Sequence, residues 1–383
     1  MHVSRELIAH MSDFAIVIPN YNQSHFLPWA LESLRHQSAP FNLALMDGGS
    51  SDNFQVVADA YSDMITHLES GPDGGQSAAI EKGLEMLTGK IVTWLNADDY
   101  YFPDTLQKVS VLFKKYPDLD VLYGDAVHVT KDGFFLCYFP AIQDFNARDL
   151  TCSCFICQPA CFVRRTAYEN AGGINQALRY TMDWDLWCRL ARSGAKFRYE
   201  PGLLAAVRYY PETKTMSGDW RRYKEIWRIE RRYGHRLHPS SWPGFYRFDL
   251  ASKTKRTFYE KCLLNALDHF RKFKRRFQLQ KSGKPGNSLL YGFVRWEPIV
   301  KKECTICLPW YDSRPWRELH LRVEPEEAEY RVQINRAPAQ TVRTRGGFLS
   351  IKMPLFTGNL VKLAISSPGN TFWELSAFNV DLR

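Results

Sequence analysis

Apolar, β-prone runs that stop in short polar clusters recur through the first hundred residues. Phe14 to Pro19, Asn42 to Met46, Ile65 to Leu68 and Ile91 to Leu95 read as strands. Runs such as Phe14-Ala-Ile-Val-Ile and Ile91-Val-Thr-Trp-Leu95, with no polar alternation, suit a parallel sheet covered on both faces. Helix-like segments, His25 to His36 and Ser77 to Leu87, stand between them. Strand and helix alternating at short intervals predict right-handed βαβ crossovers, hence an α/β fold. The polar clusters Asn20-Tyr-Asn-Gln-Ser24, Asp47-Gly-Gly-Ser-Ser-Asp52, Asp73-Gly-Gly-Gln76 and Asn96-Ala-Asp-Asp99 then fall along one edge of the sheet, where open α/β sheets bind ligands. Ser24 and Asp52 are also natural N-caps for the helices that follow.

The pattern changes after residue 100. A helix is predicted from Asp104 to Tyr116, strands at Val121 to Tyr123 and Ala126 to Thr130, and a strand at Phe134 to Phe139 beyond the turn Lys131-Asp-Gly133. The sheet therefore becomes mixed. Phe155 to Val163 reads as another strand, Arg164 to Gly173 as a short helix with a Gly-Gly stop, and Leu203 to Val207 as a strand. Asp183 and Asp185 flank Trp184 just ahead of a helix, Leu186 to Ser193, where either carboxylate could serve as an N-cap. Trp184 and Trp187 suit sugar platforms or core, with core preferred for Trp187. Two basic aromatic helices follow, Asp219 to Tyr233 and Lys253 to Phe277, then a linker, Gln278 to Ser288. From Leu289 the period becomes two: Leu319, Leu321 and Val323 alternate with polar residues, as do Val332 with Ile334, Val361 with Leu363 and Ile365, and Phe378 with Val380 and Leu382. This predicts a C-terminal antiparallel, sandwich-like β domain. The expected organisation is a catalytic unit over 1–235, a basic helical connector over 236–288 and a β domain over 289–383.

Composition narrows the partners. A formal charge of +9 and a pI near 9.0 favour anions such as nucleotides or phospholipid headgroups. Met1 to Phe14 has no apolar core of a leader, and no run reaches the roughly 18 residues of a spanning helix. A cytoplasmic protein is expected, at most peripheral on the inner face of the cell membrane, where Arg271 to Arg276 would meet an anionic surface. Nine cysteines point to free thiols. Cys152, Cys154, Cys157 and Cys161 are not spaced as two pairs and have no His nearby, which argues against zinc. No G-x-G-x-x-G follows the first strand, which argues against a dinucleotide site. The carboxylates Asp98 and Asp99 are hard oxygen donors suited to Mg²⁺ or Mn²⁺ with a diphosphate completing the shell, although an Asp-Asp pair also simply solvates a turn.

The runs Ile18-Pro-Asn-Tyr-Asn22, Asp47-Gly-Gly-Ser-Ser-Asp52, Pro72-Asp-Gly-Gly-Gln-Ser77, Leu95-Asn-Ala-Asp-Asp99 and Met182-Asp-Trp-Asp-Leu-Trp-Cys-Arg-Leu190 resemble, in this order, the family 2 glycosyltransferases, and most nearly bacterial enzymes of surface-polysaccharide synthesis. The resemblance spans roughly residues 14 to 210. It implies a GT-A fold, a nucleotide-binding sheet sandwiched by helices, and inverting transfer from a nucleoside-diphosphate sugar, a UDP-sugar first, to a glycan or lipid-linked hydroxyl. It assigns Pro19, Tyr21, Asn22 and Asp47 to base and ribose, and Asp73, Gly75, Gln76, Asn96, Ala97 and Asp98 to the nucleotide-sugar pocket. It puts the metal on Asp98, with Asp99 as neighbour, and the general base on Asp183. The chain departs from the pattern with Asn96 in place of an aspartate and with Tyr210 where many relatives carry His. Arg208, Lys214, Thr213 and Thr215 are then candidates for the phosphates. Nucleic acid is not expected as a partner. The β domain, to which the resemblance does not extend, suits glycan binding through Trp310, Trp316 or Trp373, or dimerisation. Other readings are a sugar nucleotidylyltransferase, which should show a Gly-rich basic N-terminal loop that Pro19 to Ser24 lacks, and a catalytically silent binding protein.

Overall fold

The computed structural model describes residues 12–234 except 132, 134, 140 and 141, together with residue 260 and, towards the C-terminus, residues 288–290, 299–309, 318–324, 329–334, 337–344, 348–352 and 360–374. Its first sheet grows from β1, Phe14–Asn20, all seven residues of which are buried. Phe14, Ile16 and Ile18 enter one core layer with Leu27, Leu31 and Leu34 of α1, Leu27–Arg35. Ala15 and Val17 enter the opposite layer with Ala79, Ile80 and Leu84 of α3, Gln76–Glu85, which follows α2, Phe54–Ala60. Two covered faces explain the uninterrupted apolar run. Gly83 lets α3 lie directly on this layer, since a Cβ there would come within 2.8 Å of Val17.

Parallel pairing joins β1 to β2, Phe41–Asp47, and to β4, Ile91–Trp94, while β3, His67–Ser70, adds to β2. The sheet has nine strands in the order β3-β2-β1-β4-β8-β6-β9-β5, with β7 on β6. Past β4 it becomes mixed. β8, Cys161–Arg164, is antiparallel to β4 and to β6, Val121–Val129; β6 runs parallel to β9, Phe197–Arg208; and β5, Tyr100–Tyr101, is antiparallel to β9. β6 and β7, Phe135–Tyr138, form the expected hairpin.

Four local expectations change. Residues 121 to 129 are one strand. The run Phe155 to Val163 is strand only from Cys161, because Gln158–Ala160 form a 3-10 turn with Pro159 at its start, and the Gln158 side chain donates to the carbonyl of Trp94 at 2.7 Å. Ser24 and Asp52 cap no helix; Asp52 Oδ2 accepts from the backbone N–H of Ser24 at 2.9 Å, tying two loops together. The helix after Trp184 starts earlier, at Met182, so Asp183 and Asp185 lie inside its first turn and neither is the N-cap, which falls at Thr181.

The remaining helices of this part are α4, Thr105–Lys115; α5, Ala147–Leu150; α6, Arg165–Asn170; α7, Met182–Arg192; α8, Lys214–Ser217; and α9, Trp220–Gly234. Trp187 of α7 is fully buried and stacks on Trp94, ring centroids 6.0 Å apart. Trp184 is buried too, its indole N–H donating to the carbonyl of Leu150 at 2.6 Å, so both tryptophans are core. α9 is the first basic helix, with Ile229 and Tyr233 buried and Arg221, Lys224, Arg228, Arg231 and Arg232 outward.

The alternating C-terminal region forms a second sheet of seven strands: β10, Ser288–Leu290; β11, Ile299–Pro309; β12, Glu318–Glu324; β13, Glu329–Ile334; β14, Gln340–Arg343; β15, Phe348–Lys352; and β16, Leu360–Glu374. All pairs are antiparallel except β10 with β11, and β16 pairs with β11, β12 and β13. Tyr330, Val332, Leu349, Ile351 and Ile365 make its buried face. Apart from Glu260 and Ser288, the basic helix over Lys253 to Phe277 with Arg271 to Arg276 and the linker lie outside the described residues, as do the Asp132 turn position, Trp310, Trp316 and Phe378 to Leu382. Among the described residues no helix is long and apolar enough to cross a membrane.

Trp187→Ala should lower stability by about 3–5 kcal/mol, the usual consequence of emptying a buried indole site, measured by urea unfolding of the whole chain.

Candidate active site

The loops at the carboxyl ends of β1, β3 and β4 converge on a cavity of about 820 Å³. Pro19, Tyr21 and Gln23 enter from the first loop, Asp73, Gly75 and Gln76 from the third, Asn96 and Asp98 from the fourth, and Arg179 and Lys214 from the segment before α7 and the start of α8. Tyr21 is 64% exposed at the rim, an aromatic face open to a planar ligand. Gly48 permits the rim to close up: a Cβ there would stand 3.2 Å from the Tyr21 ring and 3.3 Å from the Asp73 carboxylate. Asn20 lines the cavity as well, and its buried Oδ1 has no hydrogen-bond partner.

The floor is a chain of hydrogen bonds. Lys214 Nζ donates to Gln76 Oε1, Gln76 Nε2 donates to Asn96 Oδ1 at 2.7 Å, and Asn96 Nδ2 donates to Asp99 Oδ2 at 2.8 Å. Asp99 Oδ1 accepts from the backbone N–H of Arg208 at 3.0 Å. Asp99 is only 2% exposed, and burial followed by the charge of Asp98 pushes its carboxyl well above the usual range. Both oxygens accept hydrogen bonds from the protein, so Asp99 braces the turn. Arg208 reinforces the same turn: Nη1 donates to the carbonyl of Asp98, Nε donates to the carbonyl of Lys131 at 3.0 Å, and the guanidinium lies 4.8 Å from the Phe26 and Trp29 ring centres. It is packed in an aromatic box and lines the cavity, with its buried Nη2 left without a hydrogen-bond partner.

Asp98 faces the cavity. Burial raises its carboxyl pKa against the help of the Tyr210 hydroxyl, which donates to Oδ2 at 2.9 Å, and of the nearby Arg208 charge. Tyr210 thus occupies the departure from the family pattern as a hydrogen-bond donor. Among the described residues no three His, Cys, Asp or Glu side chains gather to hold an ion. A lone, partly desolvated carboxylate does fit a divalent cation whose remaining ligands are water and phosphate oxygens.

Asp47 and Ala97 are buried and Asn22 is exposed, and none of the three lines the cavity. Asp47 accepts from Asn20 Nδ2 at 2.7 Å, Ser70 Oγ at 2.7 Å, the Ser50 amide at 2.9 Å, the Gly49 amide at 3.2 Å and the Ser50 hydroxyl. Burial alone would raise its carboxyl; those bonds outweigh it and hold the pKa below the usual range. Asn22, at φ 51°, accepts from the Ser51 amide at 2.9 Å and locks the same loops. Ala97 is fully buried in the core under the turn.

Asp183 sits in the first turn of α7, its Oδ1 2.8 Å from the Trp184 amide, and does not line the cavity. Burial raises its pKa, only partly offset by that amide and by the charges of Lys214 and Arg222. Asp185 is committed to structure, accepting from Tyr233 at 2.7 Å and from Arg189 at 2.8 Å. The unpaired amides ahead of α7 are met from a distance: Glu225 of α9 accepts from the N–H groups of Arg179, Tyr180 and Thr181 at 3.0, 2.8 and 3.1 Å. Cys152, Cys154, Cys157 and Cys161 are free thiols, and burial pushes those of the last three well up.

A sequence model of glycosyl transferase family 2 matches residues 15–172. A PGL/p-HBAD biosynthesis glycosyltransferase of Mycobacterium bovis (strain BCG / Pasteur 1173P2) is 31% identical over 179 residues, which are 45% of this chain and 67% of that protein. The chain belongs to glycosyl transferase family 2. An uncharacterized glycosyltransferase of Rickettsia prowazekii (strain Madrid E) is 25% identical over 223 residues, 56% of this chain and 70% of that one. Among solved structures, S. aureus TarS 1-349 in complex with UDP-GlcNAc is similar with a TM-score of 0.49 and 15% identity over 69% of this chain and 72% of that chain. The mixed sheet between helical layers is the GT-A fold that the resemblance implied, and the protein is a glycosyltransferase.

Asn20, Gln23 and Gly48, which the sequence placed at the ligand edge only as parts of polar clusters, line the cavity individually, whereas Arg179 at the cavity and Glu225 behind it were missed. Asn20 and Gly48 adjoin predicted residues and were within reach; Arg179 and Glu225 carry no local pattern.

Asn96→Asp removes the donor to Asp99 and sets a third carboxylate beside Asp98 and Asp99. It should destabilise the fold by about 1–3 kcal/mol in urea unfolding at pH 8.

Proposed function

We propose that this glycosyltransferase transfers a sugar from a nucleoside-diphosphate sugar, UDP-linked in the first instance, to a hydroxyl of a glycan or lipid-linked acceptor in polysaccharide biosynthesis, with inversion at the anomeric carbon. The observation that carries the reading is one cavity lined together by the donor-type loops, Asp98, Arg179, Arg208 and Lys214. Residues 1–235 form the catalytic unit in this reading. Tyr21 offers the base a stacking face and Pro19 its edge, while Asn22 and Asp47 hold the loop that shapes the base and ribose pocket. Asp73, Gly75, Gln76 and Asn96 border the sugar and diphosphate, with Ala97 packing their turn from below.

Asp98 would hold a divalent cation, Mn²⁺ or Mg²⁺, and Asp99 is left out because both of its oxygens are bonded. Such a cation, when bound, would neutralise charge on the diphosphate. Asp183 accepts the proton of the acceptor hydroxyl as that oxygen bonds to the anomeric carbon and the bond from that carbon to the diphosphate breaks. A base pKa lifted by burial improves proton acceptance. Release of nucleoside diphosphate, and not pyrophosphate, from a panel of donors tests the reading against a nucleotidylyltransferase.

Asp98→Ala should keep the fold yet lose most of the Mn²⁺-dependent gain in UDP affinity, read by calorimetry with and without the ion. Unchanged metal dependence would remove Asp98 from the site.

Asp183→Asn should lower kcat by about 10² to 10⁴ and leave UDP affinity intact. In the wild type, kcat should rise with pH through a value above the usual carboxylate pKa of about 4, as the base loses its proton, and this acid limb should vanish in the variant. Asp185→Asn should instead lower stability by about 1–3 kcal/mol through its bonds to Tyr233 and Arg189. The reverse pattern would move the base to Asp185.

A further inference from the structure

One buried carboxylate fastens a stretch of the cavity wall. Gln176, Ala177, Leu178 and Arg179 line the cavity, and the next two residues lead into α7, whose N-cap falls at Thr181. Glu225 of α9, only 7% exposed, meets this segment with both oxygens. Oε1 accepts from the Arg179 amide at 3.0 Å, and Oε2 from the Tyr180 amide at 2.8 Å, the Thr181 amide at 3.1 Å and the Thr181 hydroxyl at 3.2 Å. The Thr181 hydroxyl is thereby turned towards α9 and caps no amide of α7, while its carbonyl accepts from the Asp185 amide at 2.9 Å and opens the helix. From the other direction the Ser77 hydroxyl donates to the Leu178 carbonyl at 2.9 Å, and Lys214 donates to that of Arg179 at 3.2 Å. Bonds to a carboxylate are short and directional, so four of them on consecutive residues fix position and not merely proximity. The segment so held joins Arg179 at the cavity to Asp183 four residues on.

Resting on the donor and base reading above, we propose that Glu225 is a positioning residue for glycosyl transfer: by pinning Arg179 to Thr181 it sets where the first turn of α7, and with it Asp183, stands relative to the donor in the cavity. In the transfer the acceptor oxygen bonds to the anomeric carbon as its proton passes to Asp183, and the bond from that carbon to the diphosphate breaks; Glu225 touches none of these atoms. Its effect is geometric, since a misplacement of about 1 Å costs on the order of 10²-fold in rate. Tyr233 makes another bond from α9 to α7, to Asp185 at 2.7 Å, and holds no part of the cavity segment, which makes it the comparison.

The test uses the full chain and measures kcat for nucleotide release from a panel of UDP- and GDP-sugars, affinity for UDP and GDP with Mn²⁺ by calorimetry, and the urea midpoint. Glu225→Gln should lower kcat by about 10- to 100-fold, at least about tenfold more than it weakens the nucleotide. Glu225→Asp, which keeps the charge and draws it back by one methylene, should recover part of that loss, and it carries the same comparison if Glu225→Gln does not fold. Tyr233→Phe should lower the urea midpoint and keep kcat within about twofold. The acid limb of kcat is a readout that lost stability alone would not move. Burial raises the pKa of Asp183, which has Lys214, Arg222 and the thiols of Cys154, Cys157 and Cys161 around it. A loosened first turn admits water, so the limb should move down towards the usual carboxylate value of about 4 in Glu225→Gln and stay in place in Tyr233→Phe. Wild-type kcat and an unmoved limb in Glu225→Gln overturn the assignment, as does a fall in kcat that Tyr233→Phe reproduces. A limb that persists in Asp183→Asn overturns the base reading, and a wild type that binds neither UDP nor GDP overturns the donor reading; either takes this assignment with it.

Discussion

A buried carboxylate must be bonded, and Asp99 imposes that demand on everything around it. With 2% exposure and the charge of Asp98 adjacent, it requires two donors that carry no negative charge. Asn96 supplies one and the backbone of Arg208 the other. The asparagine amide makes this donation, which an ionised aspartate at the same place could not make. The requirement reaches outward to Gln76 and inward to the guanidinium held among three aromatic rings. Asp98 keeps its place at the cavity because the residue beside it is anchored.

The sheet distributes these duties. β1 and β4 are parallel neighbours, so the loops after them open on the same edge, and β9 brings Arg208 to that edge through its pairing with β5 immediately beyond Asp99. The cavity residues of the first, third and fourth loops thus stand directly at strand ends, whereas Arg179 and Lys214 come from the segments before α7 and at α8.

The strands and their polar loops were legible because burial on two faces leaves an unbroken apolar run, and the run ends where the ligand edge begins. The cavity positions of Tyr21, Asp73, Gln76 and Asp98 followed from that edge. The division of labour between Asp98 and Asp99 was not legible, since identical neighbouring side chains are distinguished only by which one the turn directs inward. The run from Phe155 misled for a local reason, Pro159 and the Gln158 bond to Trp94, and the first turn of α7 was misplaced for a distant one. The amides of Arg179, Tyr180 and Thr181 just ahead of it are satisfied by Glu225, more than forty positions along the chain, at a separation local pattern does not register.

That last contact bears on where the catalytic unit can be cut. Every donor-loop residue precedes the end of β9, so a fragment stopping there would still contain the complete nucleotide motifs. It would nevertheless lack Glu225 and Tyr233, and with them the strut ahead of α7 and the partner of Asp185. Through those two residues the first basic helix is part of the packing of this unit before it is a surface for anything else.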